Sequence, residues 1–485
     1  MTSGEPDAQR WVVARAAAIG LFLDEEDLPG VVGLAETFVP MIARWRQDLG
    51  RDDPLPFPIS GRLREPSAGC PGDSGLQRRV HVLDAPRDRF QSLVARCGTD
   101  PAPADAPLAG LDFTVKANID VAGLATTSGG STEVTRPPAT RSAPIVDALL
   151  GAGASCVGIA NLGELALDAT SDNPWHGRVA NPVDVERTPG GSSGGSAASI
   201  AAGLAPLSLG SDSAGSVRIP AAFCEVVGYR PSPGRIPLKG LRGAAWSLDT
   251  IGFMADSMAT IDRAARAIDV VRAVPGPGRP RVGVLEANDL GAVDPGVAAS
   301  FADAVDQLGG VADCVRLRLP GLLDVPAVAA VIAYAEAAAQ LGEVARRAPK
   351  ALGRPAREIV QFGMLLSADD YLVTQRVRSS LLNRWLELVE GVDLVATPTV
   401  PMVPFHFGTS PSIPGDDAGL AIFAFIRFTA LANVFALPAV SVPSARSGGL
   451  PVGLQLTGTN DGDDHLIAWA RLIEGAIGTS AGPGC

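Results

Sequence analysis

The sequence predicts an α/β protein, with a mixed central β-sheet flanked by helices and a helical hairpin at the N-terminus. Three observations carry this. Short β-like runs at 113–115, 155–159, 394–397 and 439–442 alternate with Ala-rich helical runs, the pattern of a sheet covered by helices. Apolar residues make up 46% and charged residues 19% of the 485, enough to build a large core. The first 46 residues carry helical periodicity in two stretches.

Taken in order, those stretches are 11–24 and 30–46, with Leu23, Val32, Leu34, Phe38, Met41, Ile42 and Trp45 among the apolar positions. Asp27, Leu28, Pro29 and Gly30 read as the break between them. Residues 51–76 are rich in Pro, Gly and charge and read as a linker or extended strap. This divides the chain into an N-terminal helical segment with its linker, 1–75, and a catalytic domain, 76–485. Residues 275–281 (PGPGRPR) read as a turn or crossing. The segment 296–385 is mostly helical, clearest over 354–390, and the last six residues read as a frayed end.

Charge and cysteines narrow the function classes. A formal net charge of −12 argues against a nucleic-acid backbone as partner, because phosphate binding needs dense Lys and Arg. Apolar stretches are interrupted by Gly and Asp before the roughly 18 residues of a membrane span, so no membrane partner is expected. The N-terminus lacks the basic and apolar regions of a secretory signal. The six cysteines include no C-x-x-C pair, so neither a metal site nor a redox pair is signalled. The expectation is a cytoplasmic protein with no cofactor.

The chemistry is concentrated at 188–220, TPGGSSGGSAASIAAGLAPLSLGSDSAGSVRIP, where two Gly/Ser clusters flank an Ala-rich helical run at 196–203. Glycine lets successive N–H groups converge on one spot, and serine adds a hydroxyl without bulk. A flexible linker is disfavoured by the apolar flanks. A phosphate cradle lacks the G-x-x-x-x-G-K-[ST] spacing. A hydrolytic serine needs a base, and His81, His176, His406 and His465 stand in no triad context. The remaining base is a lysine. Lys116 lies in an apolar, strand-like run, where desolvation would lower its pKa. Bringing an amine from about 10.4 to about 7 takes roughly 4.6 kcal/mol of differential interaction. A surface lysine at a strand end fits the local pattern equally well.

Residues 190–237 resemble the amidase signature, a Gly/Ser-rich block shared by bacterial amidases, fatty acid amide hydrolase and the glutaminase-type subunit of the tRNA-dependent amidotransferase. Val115, Lys116, Ala117 and Asn118 match the family's V-K-D-N run except at Ala117. The resemblance implies Lys116 as catalytic lysine, Ser192 as bridging serine and Ser216 as nucleophile. It further implies backbone N–H groups of Ser213, Ala214, Gly215 and Ser216 as oxyanion hole. Gly191, Asp212 and Arg218 follow as structural support, with a cis peptide between Gly191 and Ser192. Matches continue at Asn161 and Glu164, at Asn181 to Asp184, at Ser247, Asp249 and Gly252, at Thr397 to Pro401, and at Asn433 and Gly449 to Gln455. Ala160, Ala214, Glu225, Arg230 and Phe253 depart from the usual pattern and bear on the substrate, not on the reaction type.

The implied function is an amidase that hydrolyses a C–N bond of a small, linear amide through a Ser216 acyl-enzyme. Two alternatives stay open: acyl transfer to an amine, and an amidotransferase-type subunit. The N-terminal stretch 12–46 weakly resembles the small helical subunits that accompany some amidases, and equally an ordinary helix pair packed on the core. A homodimer is one assembly left open. By the same resemblance, the pocket is expected at loops 126–132, 170–177 and 400–410 and the helical block 363–379. Phe362, Met364, Tyr371, Phe405 and Phe407 are candidates for its lining.

Overall fold

The computed structural model describes residues 7–49, 78–285, 291–409 and 421–477. The expected linker at 51–76 and the C-terminal end lie outside them. Twelve strands form one mixed sheet: β1 (Val80–Val82), β2 (Leu93–Thr99), β3 (Asp112–Lys116), β4 (Ser155–Ala160), β5 (Leu207–Asp212), β6 (Val227–Arg230), β7 (Thr250–Ala255), β8 (Arg281–Leu285), β9 (Asp313–Leu317), β10 (Leu394–Pro398), β11 (Ala439–Pro443) and β12 (Gly453–Thr457). Their order is β1-β2-β4-β3-β5-β7-β6-β11-β12-β10-β8-β9. β3 runs parallel to both β4 and β5, and β8 runs parallel to both β9 and β10. The other neighbours are antiparallel.

The central strands are buried on both faces. β5, β6 and β7 have every residue buried, which requires helices above and below. In β3 the two-residue alternation still shows. Phe113 and Val115 enter one core cluster. Thr114 and Lys116 face the other way, and the Thr114 hydroxyl lies 3.1 Å from Ser199 of a covering helix.

The N-terminal hairpin is present with shifted boundaries. Its first helix, α1, spans Ala8–Ala18 rather than 11–24. The Asp7 carboxylate caps its start, accepting from the Gln9 N–H at 3.0 Å. The second helix, α2, spans Leu28–Asp48. Leu28, Pro29 and Gly30, expected as the break, are its first turn, because a proline there sacrifices no helical hydrogen bond.

Three long helices follow later in the chain: α5 (Val325–Arg347), α6 (Arg354–Leu365) and α7 (Ala368–Leu388). The expected block 354–390 is therefore two helices. Ser367 starts the second through a reciprocal capping box with Asp370. The mainly helical segment also contains β9, which pairs in parallel with β8. Among the described residues, α5 alone is long and apolar enough to cross a membrane, and 78% of that window is buried inside the protein.

The hairpin shares one apolar cluster with α5 and α6. Phe38 sits between the rings of Tyr334 and Phe362, at 5.6 and 5.5 Å. Asp27 at the start of α2 accepts from Arg357 Nη2 at 2.6 Å, Arg357 Nε at 2.7 Å and Gln361 Nε2 at 3.0 Å. Trp45 Nε1 donates to Asp324 at 3.1 Å. Through Tyr334, the hairpin backs the wall of the cavity described next.

Candidate active site

Because β3 and β5 are parallel neighbours, their carboxyl ends lie side by side. Lys116 ends one and Ser211 and Asp212 end the other. Lys116 is fully buried. Its Nζ lies 2.8 Å from Ser192 Oγ, 2.8 Å from Ser211 Oγ and 3.4 Å from the Ser211 carbonyl. Burial pushes this amine down from 10.5 to about 7, against the opposing pull of Asp249 and Asp212. A neutral amine has two N–H donors and one lone pair. That inventory fits its surroundings, with the lone pair open to the Ser192 hydroxyl proton.

Ser192 precedes helix α3 (Gly194–Ala201), and the Gly191–Ser192 peptide is cis. The helix start presses against the end of β4. A side chain at Gly195 would place its Cβ 2.3 Å from the Asn161 carbonyl oxygen, so only glycine fits. This close approach sets the depth at which Ser192 meets Lys116.

Asp212 organises the next turn, which leads into α4 (Arg218–Phe223). Its carboxylate accepts from the N–H groups of Gly215 and Val217 at 2.8 and 3.2 Å. It also accepts from Arg218 Nε and Nη2 at 3.0 and 2.9 Å and from Asn433 Nδ2 at 2.8 Å. Burial alone would raise this carboxyl. The Arg218 and Arg230 guanidiniums outweigh it and hold the group well below the usual carboxylate range. Arg218 is satisfied further by Gln455 Oε1 at 2.7 Å and the Thr429 carbonyl at 2.9 Å.

The Gly215 N–H, expected in the oxyanion hole, is thus taken by Asp212. Ala214 and Ser216 keep N–H groups with no partner among the described residues. Ser216 is half-buried, and its carbonyl accepts from the Ser193 N–H at 3.2 Å.

Sequence reasoning did not assign a role to Ser211, Asp249, Asn433 or Gln455. Asp249 accepts from the Ser213 hydroxyl and, at 3.0 Å, from the Ala245 N–H. Burial pushes its carboxyl up to about 7. Asn118 Nδ2 donates to Ser211 Oγ at 3.0 Å, which links this residue, two beyond the strand end, to the lysine. Asp249, Asn433 and Gln455 all sit in segments that match the family pattern. That match was the signal available, though it carried no chemistry of its own.

Gly191, Ser213, Ala214 and Ser216 line a cleft of about 570 Å³ of empty space, part of it open to solvent. Its far wall is a stripe of small residues on α5, Ala329, Ala330 and Ala333, beside Tyr334. The expected lining aromatics are elsewhere. Phe362 is fully buried against Phe38, and the Tyr371 hydroxyl donates to Glu336 at 2.8 Å. Phe405 packs on Phe223 and Phe425, Met364 packs on the core cluster, and Phe407 lies under the Arg178 guanidinium. Among the described residues none of the expected loops lines this cleft, but Ser171 of 170–177 bonds to Gly190 and Gly194 on either side of Ser192, and Ser128 of 126–132 lines an adjoining space. Large rings are better buried in the core than in a pocket that must stay open, and the small α5 stripe leaves the space. Among the described residues, no cluster of His, Cys, Asp and Glu has the makings of a metal site.

Comparison with known proteins agrees with this architecture. The family model described as Amidase matches residues 94–467. The A-subunit of the glutamyl-tRNA(Gln) amidotransferase of Thermus thermophilus is 35% identical, across 82% of this chain and 92% of its own length. The protein of the same name from Halobacterium salinarum is 33% identical, across 76% and 96%. A solved amidase superposes with a TM-score of 0.71 at 26% identity, covering 97% of this chain and 95% of the other. An inhibitor-bound complex, described as vestigial and bearing on the origins of an s-triazine catabolic enzyme, gives 0.69 at 30% identity, covering 77% and 85%. With the family model spanning most of the chain and the sheet, helices and Gly/Ser loops in one arrangement, the chain belongs to the amidase family, whose members are enzymes of C–N bond chemistry.

Proposed function

We propose that this enzyme cleaves the C–N bond of a small amide through an acyl-enzyme on Ser216, with Ser192 and Lys116 relaying the proton. The observation that carries the reading is a buried amine, lowered to about 7, lying 2.8 Å from Ser192 Oγ beside the cavity that Ser216 lines. Neutral Lys116 takes the Ser192 proton as Ser192 takes that of Ser216, and Ser216 Oγ attacks the carbonyl carbon. The N–H groups of Ala214 and Ser216 hold the oxyanion, a contribution worth about 3–4 kcal/mol per donor in known cases. The proton returns through Ser192 to the leaving nitrogen, and water then releases the acyl group. Asp212 and Arg218 position the turn from beneath.

This chemistry has two settings. The relatives named as the A-subunit of glutamyl-tRNA(Gln) amidotransferase favour the first, in which the chain is the amide-cleaving component of an amidotransferase and works with protein partners. The second is a self-contained amidase on linear amides. It is supported by the fused N-terminal hairpin, which acts as a built-in cover for α5 and α6.

Labelling with a fluorophosphonate, followed by peptide mapping, tests the shared chemistry. The label is expected on Ser216 and is expected to vanish in Lys116→Met. A label elsewhere, or one indifferent to Lys116, overturns the reading. Ammonia release from glutamine by the purified chain alone, compared with the chain plus its partner subunits, separates the two settings.

A further inference from the structure

The chain has three tyrosines, and two of them follow the rule that a buried hydroxyl finds a partner. Tyr229 donates to Asp463 at 2.6 Å and Tyr371 to Glu336 at 2.8 Å. Tyr334 breaks the rule. It is 7% exposed, yet its hydroxyl has no hydrogen-bond partner among the described residues. An O–H held away from water without a partner costs stability, so its persistence asks for a reason.

The unpaired hydroxyl belongs to the reactive cleft. Tyr334 lines the same space as Ser216, next to Ala333 and one turn of α5 beyond Ala330. Its ring is fixed from behind. Phe38 of α2 and Phe362 of α6 meet it edge-to-face, at 5.6 Å and 82° and at 6.3 Å and 89°. Phe38 is itself held by Phe362 at 5.5 Å and Phe423 at 5.4 Å. The ring therefore has little freedom, and the hydroxyl is the one polar atom that this side chain can offer to the cleft.

The other polar side chains of the lining are already engaged. The Ser213 hydroxyl donates to Asp249. Asp168 Oδ1 accepts from the Thr170 N–H at 3.0 Å and the Thr170 hydroxyl at 2.7 Å, and its Oδ2 is sealed inside the protein. No Lys or Arg lines the cleft among the described residues. Away from the reacting groups, the wall is thus apolar, through Ala330, Ala333, Ile219 and Ile426, with one free O–H. Burial pushes the phenol up, so at neutral pH it stays protonated and able to donate.

We propose that Tyr334 determines specificity by donating to an uncharged oxygen of the substrate, and that Phe38 of the N-terminal hairpin positions it. The substrate class is then a neutral amide with an apolar frame and one further oxygen acceptor, such as a ketone or a second amide carbonyl, at a set distance from the scissile bond. The hairpin is on this account part of the site. The proposal rests on Ser216 as the site of acyl attack, which fixes where the amide lies.

The test is equilibrium binding by calorimetry to the full chain carrying Ser216→Ala, which holds amides uncleaved. The probes are the primary amides of 4-oxopentanoic, 5-oxohexanoic and 6-oxoheptanoic acids, each against the plain alkanamide of equal chain length. At least one oxo amide is expected to bind about fivefold more tightly than its plain partner. Tyr334→Phe is expected to erase that gap while leaving plain amides within about twofold. Because the hydroxyl has no partner to lose, the same variant should unfold in urea no more easily than its parent. Phe38→Leu, which keeps an apolar side chain but frees the ring, is expected to narrow the gap to about twofold and to change nothing further once Tyr334→Phe is present. Equal binding within every pair overturns the proposal. So does a gap that survives Tyr334→Phe, or a clear loss of stability in that variant, which would mark the hydroxyl as bonded within the protein. Phe38→Leu weakening oxo and plain amides alike would overturn its positioning role. Binding needs no turnover, so a fluorophosphonate label found away from Ser216 would sink the acyl-enzyme reading while the gap within each pair still decides this one.

Discussion

The pH dependence of Ser216 reactivity follows directly from the burial of Lys116. The perturbation is pH itself, between 8 and 5. With the amine at about 7, its neutral fraction falls from roughly nine-tenths to about one-hundredth over that range, a loss of about 90-fold. The assay is the rate of inactivation by phenylmethylsulfonyl fluoride, followed by intact mass, which needs no knowledge of the substrate. Asp249, also near 7, interacts with the lysine, so the observed midpoint belongs to the pair. Asp249→Asn isolates the lysine. Removing a negative charge favours the neutral amine, so the acid limb moves to lower pH.

Stability carries the same signature. Lowering the amine from 10.5 to about 7 disfavours its charged form by about 4.8 kcal/mol. Below 7 the lysine is protonated in both folded and unfolded chains, and the folded state bears the whole penalty. Between 7 and 10.5 only the unfolded chain holds the proton, so stability rises with pH. Urea unfolding of wild type against Lys116→Met should show wild type gaining on the variant by a similar amount between those limits. Inactivation that is flat from pH 8 to 5, or undiminished in Lys116→Met, would refute the role of a neutral lysine.

Other substitutions test the supporting structure. Asp212→Asn leaves Arg218 and Arg230 without their shared carboxylate and should cost about 3–5 kcal/mol in denaturant unfolding, with loss of labelling at Ser216. The Asp212 carboxyl is held low in the folded state. Its contribution is therefore present at neutral pH and lost as pH falls below the ordinary carboxylate value. Gly215→Ala would put a Cβ 2.3 Å from Thr429 Oγ1 at a φ of +128°, so the variant should lose about 1–3 kcal/mol and most labelling. Arg357→Met strands the buried Asp27 and should destabilise by about 3–5 kcal/mol, with faster proteolysis between α1 and α2. Ser192→Ala should leave the fold intact, by circular dichroism, while cutting inactivation of Ser216 by at least about a hundredfold.

Much of the fold was legible because its signals are local. The runs at 113–115, 155–159, 394–397 and 439–442 each lie within an observed strand, extended by one or two residues, since short apolar runs bounded by turn residues encode extended backbone. Helix ends were less legible. Residues 19–24 continue the apolar pattern of α1, yet Gly20 turns the chain at a φ of +63° and the helix stops at Ala18. Pro29 looked like a breaker and is a starter, a distinction that depends on which turn it occupies.

By itself, the sequence determined the fold class, the family and the identity of Lys116, Ser192 and Ser216 as candidates, because glycine, serine and the spacing of a signature are properties of the chain. Tertiary structure decided that Lys116 is buried and that Ser211 and Asn118 meet it. It also moved the cavity wall to the alanines of α5 and turned the Gly215 N–H to Asp212. The physical reason is distance along the chain. The lysine and Ser211 come together through the parallel pairing of β3 and β5, which are about 90 residues apart, Ser192 is brought in by the start of α3, and the wall arrives from a helix more than a hundred residues later. Local torsion and periodicity specify each element, but only long-range packing decides which side chains share one desolvated space.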